Sequence, residues 1–283
     1  MRHLTGFAPL ATEYDGFIVD LWGVMHDGIS PYDGAMDCLR RLQTAGKRVV
    51  LLSNAPRRAS RVARGLRAMG IPDGCYNAVL TSGEATRMAL LERTDPWIAR
   101  LGRRVLHLGP EKDRNLIEGL DLDLAADPAS ADFVLNTGPN DDDGETGPEP
   151  YLPLLRHCAG LGLPMLCANP DLEIVRGGAR IICAGLLARF YAQYGGEVRS
   201  IGKPYPEVYA SVFAMLGVPL ARVLAVGDAL ATDIAGAKVA GIASCWVLGG
   251  IHAELIGDNH ALADAEAANA GLAPIATIPS FMW

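Results

Sequence analysis

Several short apolar runs in this chain end on residues that can do chemistry. Phe17-Ile18-Val19 leads into Asp20, followed by Leu21-Trp22-Gly23-Val24. Val49 to Leu52 leads into Ser53-Asn54, and Pro164 to Ala168 leads into Asn169-Pro170-Asp171. Val198 to Ile201 precedes Gly202-Lys203-Pro204, and Val223 to Gly227 precedes Asp228, with Asp233 shortly after. Two carboxylates such as Asp20 and Asp228 can hold a hard cation like Mg²⁺, which takes oxygen ligands. A cation there would offset negative charge on a phosphate. Ser53 can donate to a phosphate oxygen, and Lys203 supplies a positive point charge to the same group. An aspartate can also accept a phosphoryl group as a covalent nucleophile. Taken singly, each residue is more often structural. Asp20 would cap a turn, Lys203 would be a surface charge, and Asn169-Pro170-Asp171 would be a plain turn. The ordered set is more specific than any member.

These residues can meet only if the apolar runs lie side by side. Phe17–Val19 reads as a buried strand ending on an acid, with Gly23 allowing a sharp turn. Residues 33–45 predict a helix closed by Gly46, then a strand over 48–52. Arg57 to Met69 predicts a basic helix stopped by Gly70, and Ala78-Val79-Leu80 a third strand. This β-α-β-α-β order implies a parallel sheet with right-handed crossovers. Open α/β sheets place ligands at the carboxyl ends of their strands, where Asp20, Ser53, Asn54 and Asp228 fall.

A second alternating block follows, with strands over 104–108, 133–136 and 164–168 and a short helix between the first two. Residues 140–149 are acidic and predict an exposed loop. Three adjacent aspartates there invite a calcium reading, but the spacing and closing Glu of a calcium loop are missing. Cys183 to Tyr194 predicts an apolar helix, Pro206 to Leu216 another, Ala231 to Ala240 a small-residue helix, and Ile242 to Leu248 a last strand. The alanine-rich tail from Ile251 gives no clear pattern.

The chain has 283 residues, half of them hydrophobic, and a net charge of −7. That suits a globular protein with a substantial core and argues against binding through nucleic-acid phosphates. The six cysteines (38, 75, 158, 167, 183 and 245) are scattered, with no C-x-x-C pair. They read as reduced, mostly buried thiols of a cytoplasmic protein. No membrane span and no apolar signal region are expected.

The ordered set resembles the haloacid dehalogenase (HAD) superfamily. Asp20-Leu21-Trp22-Gly23-Val24 resembles its first motif, D-x-D-G-[TV]. Val49–Leu52 with Ser53-Asn54 resembles the second, Gly202-Lys203-Pro204 the third, and Gly227 to Ile234 the fourth. The resemblance is nearest to class IIA, the sugar-phosphatase and nitrophenyl-phosphatase-like branch. There an α/β cap lies between the second and third motifs, and Asn169-Pro170-Asp171 stands where that branch carries T-N-P-D. Ile182 to Tyr194 resembles its helix back to the core. The implied fold is an α/β protein with a doubly wound parallel core, residues 1–83 and 181–283, and an inserted α/β cap, residues 84–180.

The resemblance also implies roles. Asp20 would be the nucleophile and a Mg²⁺ ligand, with the backbone carbonyl of Trp22 and the Asp228 carboxylate as further ligands. Asp233 would support that shell through water or Lys203. Ser53 and Lys203 would bind the phosphoryl group, and Asn54 would contact substrate or phosphate, although Ala55 stands where the branch usually has a second Asn. Asn169 and Asp171 would face the substrate from the cap. The implied reaction is hydrolysis of a small phosphate monoester through phospho-Asp20. The partner would be a small phosphorylated molecule, not nucleic acid or membrane, with a homodimer left open.

One departure stands out. Phosphatases of this family carry a second aspartate two residues after the nucleophile, as proton donor and then as base. Here that place is Trp22. Losing a general acid–base costs about 10²–10⁴-fold in rate, least with a good leaving group. Three readings follow: a slow phosphatase, with nearby His26 as a candidate substitute; a haloalkanoate dehalogenase, which would not need Asp228 and Asp233 for a metal; or a phospholigand-binding protein with weak or no turnover.

Overall fold

The computed structural model describes residues 1–140, 147–176 and 179–283. In chain order, β1 (Arg2–His3), β2 (Gly16–Val19), β3 (Arg48–Ser53) and β4 (Ala78–Thr81) begin one sheet. Strands β5 (Arg104–Leu108), β6 (Asp123–Leu124), β7 (Phe133–Asn136) and β8 (Met165–Cys167) build a second. A hairpin of β9 (Glu173–Arg176) and β10 (Ala179–Ile182) follows, and β11 (Val198–Ser200) returns to the second sheet. Finally β12 (Val223–Gly227), β13 (Ala243–Val247) and β14 (Ala276–Ile278) complete the first.

The larger sheet has the order β1-β14-β13-β12-β2-β3-β4 and every pairing in it is parallel. The smaller, β11-β8-β7-β5-β6, is also parallel throughout. The larger sheet is wound on both faces, as its sequence demands. Phe17 and Val19 join an apolar cluster on one face with Val49 and Leu51. Ile18, Val50 and Leu52 join another on the opposite face. Strands buried on both sides read as unbroken apolar runs, which is why they stand out in the sequence.

The second sheet sits on the first through arginines as well as apolar contacts. Arg61 donates to the Lys112 carbonyl at 3.3 Å and Arg87 to that of Leu116 at 2.9 Å. Strand β11 is hydrogen-bonded to β8, so the smaller sheet draws on chain beyond residue 180.

The expected strands and helices form within a residue or two of their sequence boundaries. Helices Ser82–Glu92, Leu152–Gly160 and Ala8–Glu13, the hairpin and the short β6 are among the elements without a sequence expectation. The tail resolves into helix His260–Asn269 and β14. The small-residue helix begins with a π-helical turn, Leu230–Ile234. Of the acidic stretch 140–149, residues 141–146 lie outside the described residues, and the loop and calcium readings lie there with them. All six cysteines are buried free thiols. Among the described residues no helix is long and apolar enough to cross a membrane.

Candidate active site

The carboxyl ends of β2, β3 and β12 meet at one point. Parallel pairing sets Val19 opposite both Leu51 and Val226, so the residues just beyond these strands converge. Asp20 is held there by its backbone N–H, which donates to the Val226 carbonyl at 2.9 Å. Its carboxylate is buried.

Lys203 enters from the loop after β11 and is buried too. Its Nζ donates to Asp20 Oδ1 at 2.5 Å, Asp233 Oδ1 at 2.7 Å and the Leu52 carbonyl at 3.0 Å. Those three bonds use all three ammonium protons. Burial works against the charge on Lys203, but Asp20, Asp233 and Asp171 outweigh it and hold the group well above the ordinary lysine range.

Asp228 lies between two glycines. A Cβ on Gly23 would come within 1.9 Å of Asp228 Oδ2, and one on Gly250 within 2.0 Å. Gly23 also has a φ of +81°, which favours glycine. The Ile251 N–H donates to Asp228 Oδ2 at 2.7 Å, and the Trp246 indole donates to the Asp228 carbonyl at 2.8 Å. The π-helical turn carries Asp233 back so that its Oδ2 accepts from the Ala229 N–H at 3.1 Å.

From the second sheet comes Asp171. Asn54 joins the halves: its Nδ2 donates to Asp171 Oδ1 at 2.8 Å and to the Lys203 carbonyl at 3.0 Å. Its Oδ1 accepts from the Lys203 N–H at 2.7 Å. Asn54 is therefore a strut between loops. Ser53 lines the cavity beside it, its Oγ accepting from the Ala55 N–H at 3.2 Å. Asn169 is buried and does not line the cavity; its Oδ1 accepts from the Asp171 N–H at 3.0 Å and shapes the turn that presents Asp171.

These groups surround one cavity of about 220 Å³. Asp20, Ser53, Asn54, Asp171, Lys203, Asp228 and Asp233 all face it. Its mouth is formed by residues that motif reading missed: Tyr32, the hairpin residues Glu173, Ile174, Val175 and Arg180, and Glu254. Arg180 pairs with Glu173 within the hairpin and lies 3.8 Å from Glu254 across the mouth. The sequence did hold a signal for the hairpin. Glu173 to Arg176 and Ala179 to Ile182 flank Gly177-Gly178, a pair favoured in two-residue hairpin turns.

Trp22 reaches across from the motif loop to this hairpin. Its Nε1–H donates to the Val175 carbonyl at 2.6 Å. The ring rests over Gly28, where a Cβ would lie 2.3 Å from the indole. His26 packs edge-on to Trp22, with ring centroids 5.4 Å apart. The Gly28 N–H donates to His26 Nδ1 at 3.0 Å, which places the ring proton on Nε2. Burial pushes the imidazole down to about 4, so it is neutral near pH 7, and it does not line the cavity. Trp22→Phe keeps the ring but removes the donor. Exchange of the amide hydrogens of residues 173–176 and 179–182 is expected to run roughly 2–10-fold faster in that variant, by mass-resolved hydrogen exchange.

The carboxylates fit a divalent cation. One oxygen from each of Asp20, Asp228 and Asp233 lies within 4.8 Å of the others. Burial pushes the Asp20 carboxyl up to about 7 against the pull of Lys203. Burial, then Asp20 and Asp233, push Asp228 well above the usual carboxylate range. One ammonium thus serves several buried acids, and the pocket is short of positive charge. Both Asp233 oxygens are already engaged, which leaves Asp20 and Asp228 as the better direct ligands.

The chain is similar to known proteins in sequence and in fold. A family model described as Haloacid dehalogenase-like hydrolase matches residues 17–123, and a second, HAD-hydrolase-like model matches residues 200–274. A solved haloacid dehalogenase-like hydrolase from Brucella suis 1330 is 33% identical, with TM-score 0.85, over 99% of this chain and 100% of that one. The 4-nitrophenylphosphatase of Thermotoga maritima is 27% identical, with TM-score 0.69, over 96% of each chain. The 4-nitrophenylphosphatase of Schizosaccharomyces pombe is 25% identical over 86% of each chain. Human chronophin is 28% identical over 83% of this chain and 81% of its own. The chain belongs to the haloacid dehalogenase-like hydrolase family, in its class IIA, nitrophenyl-phosphatase-like branch.

Proposed function

We propose that this protein is a phosphoric monoester hydrolase that uses Mg²⁺ and passes the phosphoryl group through Asp20. The observation that carries the reading is the buried cluster of Asp20, Lys203, Asp228 and Asp233 beside Ser53, around one small cavity. Lys203, with its charge secured, draws a phosphate oxygen and keeps Asp20 oriented for attack on phosphorus. Ser53 offers its hydroxyl proton to a second oxygen. Mg²⁺ held by Asp20, the Trp22 carbonyl and Asp228, with Asp233 behind, would supply the positive charge that the phosphoryl group needs during transfer. The smaller sheet and its hairpin act as the cap; drawn at 84–180 from sequence, it extends to Ser200 once β11 is counted. Relatives named for nitrophenyl phosphate and glycerol phosphate support a small ester as substrate.

Two rival readings have less support. A haloalkanoate dehalogenase has no use for the acid cluster. A phospholigand-binding protein would keep the pocket, and Trp22 is the residue that favours it. The test is phosphate release from a panel of monoesters, including nitrophenyl phosphate, with Mg²⁺ and with chelator. Release that needs Mg²⁺ is the expected result. No release from any ester, with Mg²⁺ and phosphate analogues still bound in calorimetry, would leave the binding reading in its place.

A further inference from the structure

The phosphatase reading leaves unanswered how the leaving group obtains its proton, and the side chains around the cavity answer that narrowly. Trp22 stands where a proton donor would be needed, but its one N–H is donated to the Val175 carbonyl. An indole nitrogen has no basic lone pair to take a proton in return. His26 lies outside the cavity with its Nδ1 accepting from Gly28. Lys203 has all three protons engaged. Tyr32 lines the cavity, but a phenol is a weak acid even in its ordinary range, about 10, so it parts with a proton reluctantly. On the cap side, Asp171 lines the cavity and accepts from Asn54 through Oδ1, which makes it the competing proton carrier, and Glu173 is paired with Arg180.

We infer that this site accepts a phosphoryl group efficiently only from compounds whose leaving group departs as a stable anion, namely acyl, enol and aryl phosphates, and that phospho-Asp20 then accumulates. The inference deepens the phosphatase reading and rests on it. In the first step an Asp20 carboxylate oxygen bonds to phosphorus as the bond from phosphorus to the leaving oxygen breaks. The leaving group keeps that electron pair and departs unprotonated. A carboxylate, enolate or nitrophenolate tolerates this, whereas an alkoxide does not. In the second step a water oxygen bonds to phosphorus and the bond to Asp20 breaks. Asp20 recovers the electron pair, and the water proton passes to solvent or to the phosphate released. Neither Trp22 nor His26 is placed to take that proton, so the second step is slow whatever the donor was. With an acidic leaving group the first step outruns it.

The test compares acetyl phosphate, nitrophenyl phosphate and glycerol 3-phosphate on the Mg²⁺-loaded full chain, with rapid mixing and intact-protein mass spectrometry. The first two are expected to give a burst of up to one equivalent and a mass gain of one phosphoryl group, both absent in Asp20→Asn. Glycerol 3-phosphate is expected to show kcat/KM at least about 10²-fold below nitrophenyl phosphate, the share a general acid normally supplies. Trp22→Asp is expected to narrow that gap and remove the burst. Comparable turnover of glycerol 3-phosphate without a burst would overturn the inference while leaving the phosphatase reading intact. If that turnover were lost in Asp171→Asn, the missing acid would be Asp171, whose carboxyl burial pushes up to about 6. No phosphoryl gain and no phosphate from any donor would remove the phosphatase reading, and this inference with it.

Discussion

Asp20→Asn is expected to bring phosphate release from every ester down to the uncatalysed background, a loss of about 10⁴-fold or more. The substitution is nearly isosteric, so the cavity keeps its shape. An amide oxygen is a far weaker nucleophile than a carboxylate and cannot form a stable phosphoryl ester. The fold should survive the change. Lys203 keeps Asp233 and the Leu52 carbonyl as acceptors, and the backbone bond from residue 20 to Val226 does not involve the side chain. Circular dichroism and the urea midpoint of the variant should therefore stay close to wild type while phosphate release disappears. Activity retained in a folded Asp20→Asn protein would show that the nucleophile lies elsewhere.

Trp22→Asp is expected to act in the opposite direction, raising kcat for an alkyl phosphate by about 10²–10⁴-fold, the usual worth of a positioned general acid–base. The new carboxyl would stand at the end of the loop that carries Asp20 and would face the same cavity. The change also removes the indole that bonds the hairpin through Val175. The gain in kcat should therefore come with a higher KM, since the cavity mouth is less well held. Steady-state kinetics with glycerol 3-phosphate separate the two effects. A variant that folds but gains nothing would mean that the loop has been reshaped around tryptophan, and that a carboxyl alone no longer restores proton transfer.

Most of the fold was legible because its central strands are buried on both faces. Phe17 to Val19 and Val49 to Leu52 have no polar residue to blur the pattern, and each ends abruptly in polar residues at the sheet edge. The same abruptness exposed Asp20, Ser53, Asn54, Asp228 and Lys203 as candidates. What stayed hidden was of two kinds. The hairpin strands are half-exposed and only four residues each, too short to show a clear alternation. Roles set by geometry were hidden as well. Asn54 lines the cavity as the motif suggests and also bridges Asp171 and Lys203, and Asn169 shapes a turn behind the cavity wall. Tyr32 and Glu254 sit in segments without a motif and reach the mouth only through tertiary packing.

The position of β12 in the larger sheet bears on how the molecule assembles. It is hydrogen-bonded directly to β2, with Val226 opposite Val19, although the whole smaller sheet is threaded between them in the chain. Pairings of such long sequence separation require closure of a large loop before they return any stabilisation, and they slow folding. Strands β2, β3 and β4 can pair as soon as they are made, and β5 to β8 likewise among themselves. The junction that brings Asp20 beside Asp228 must wait for the last quarter of the polypeptide. During synthesis the larger sheet therefore carries an open β2 edge, and the acidic cluster comes together only when β12 closes it.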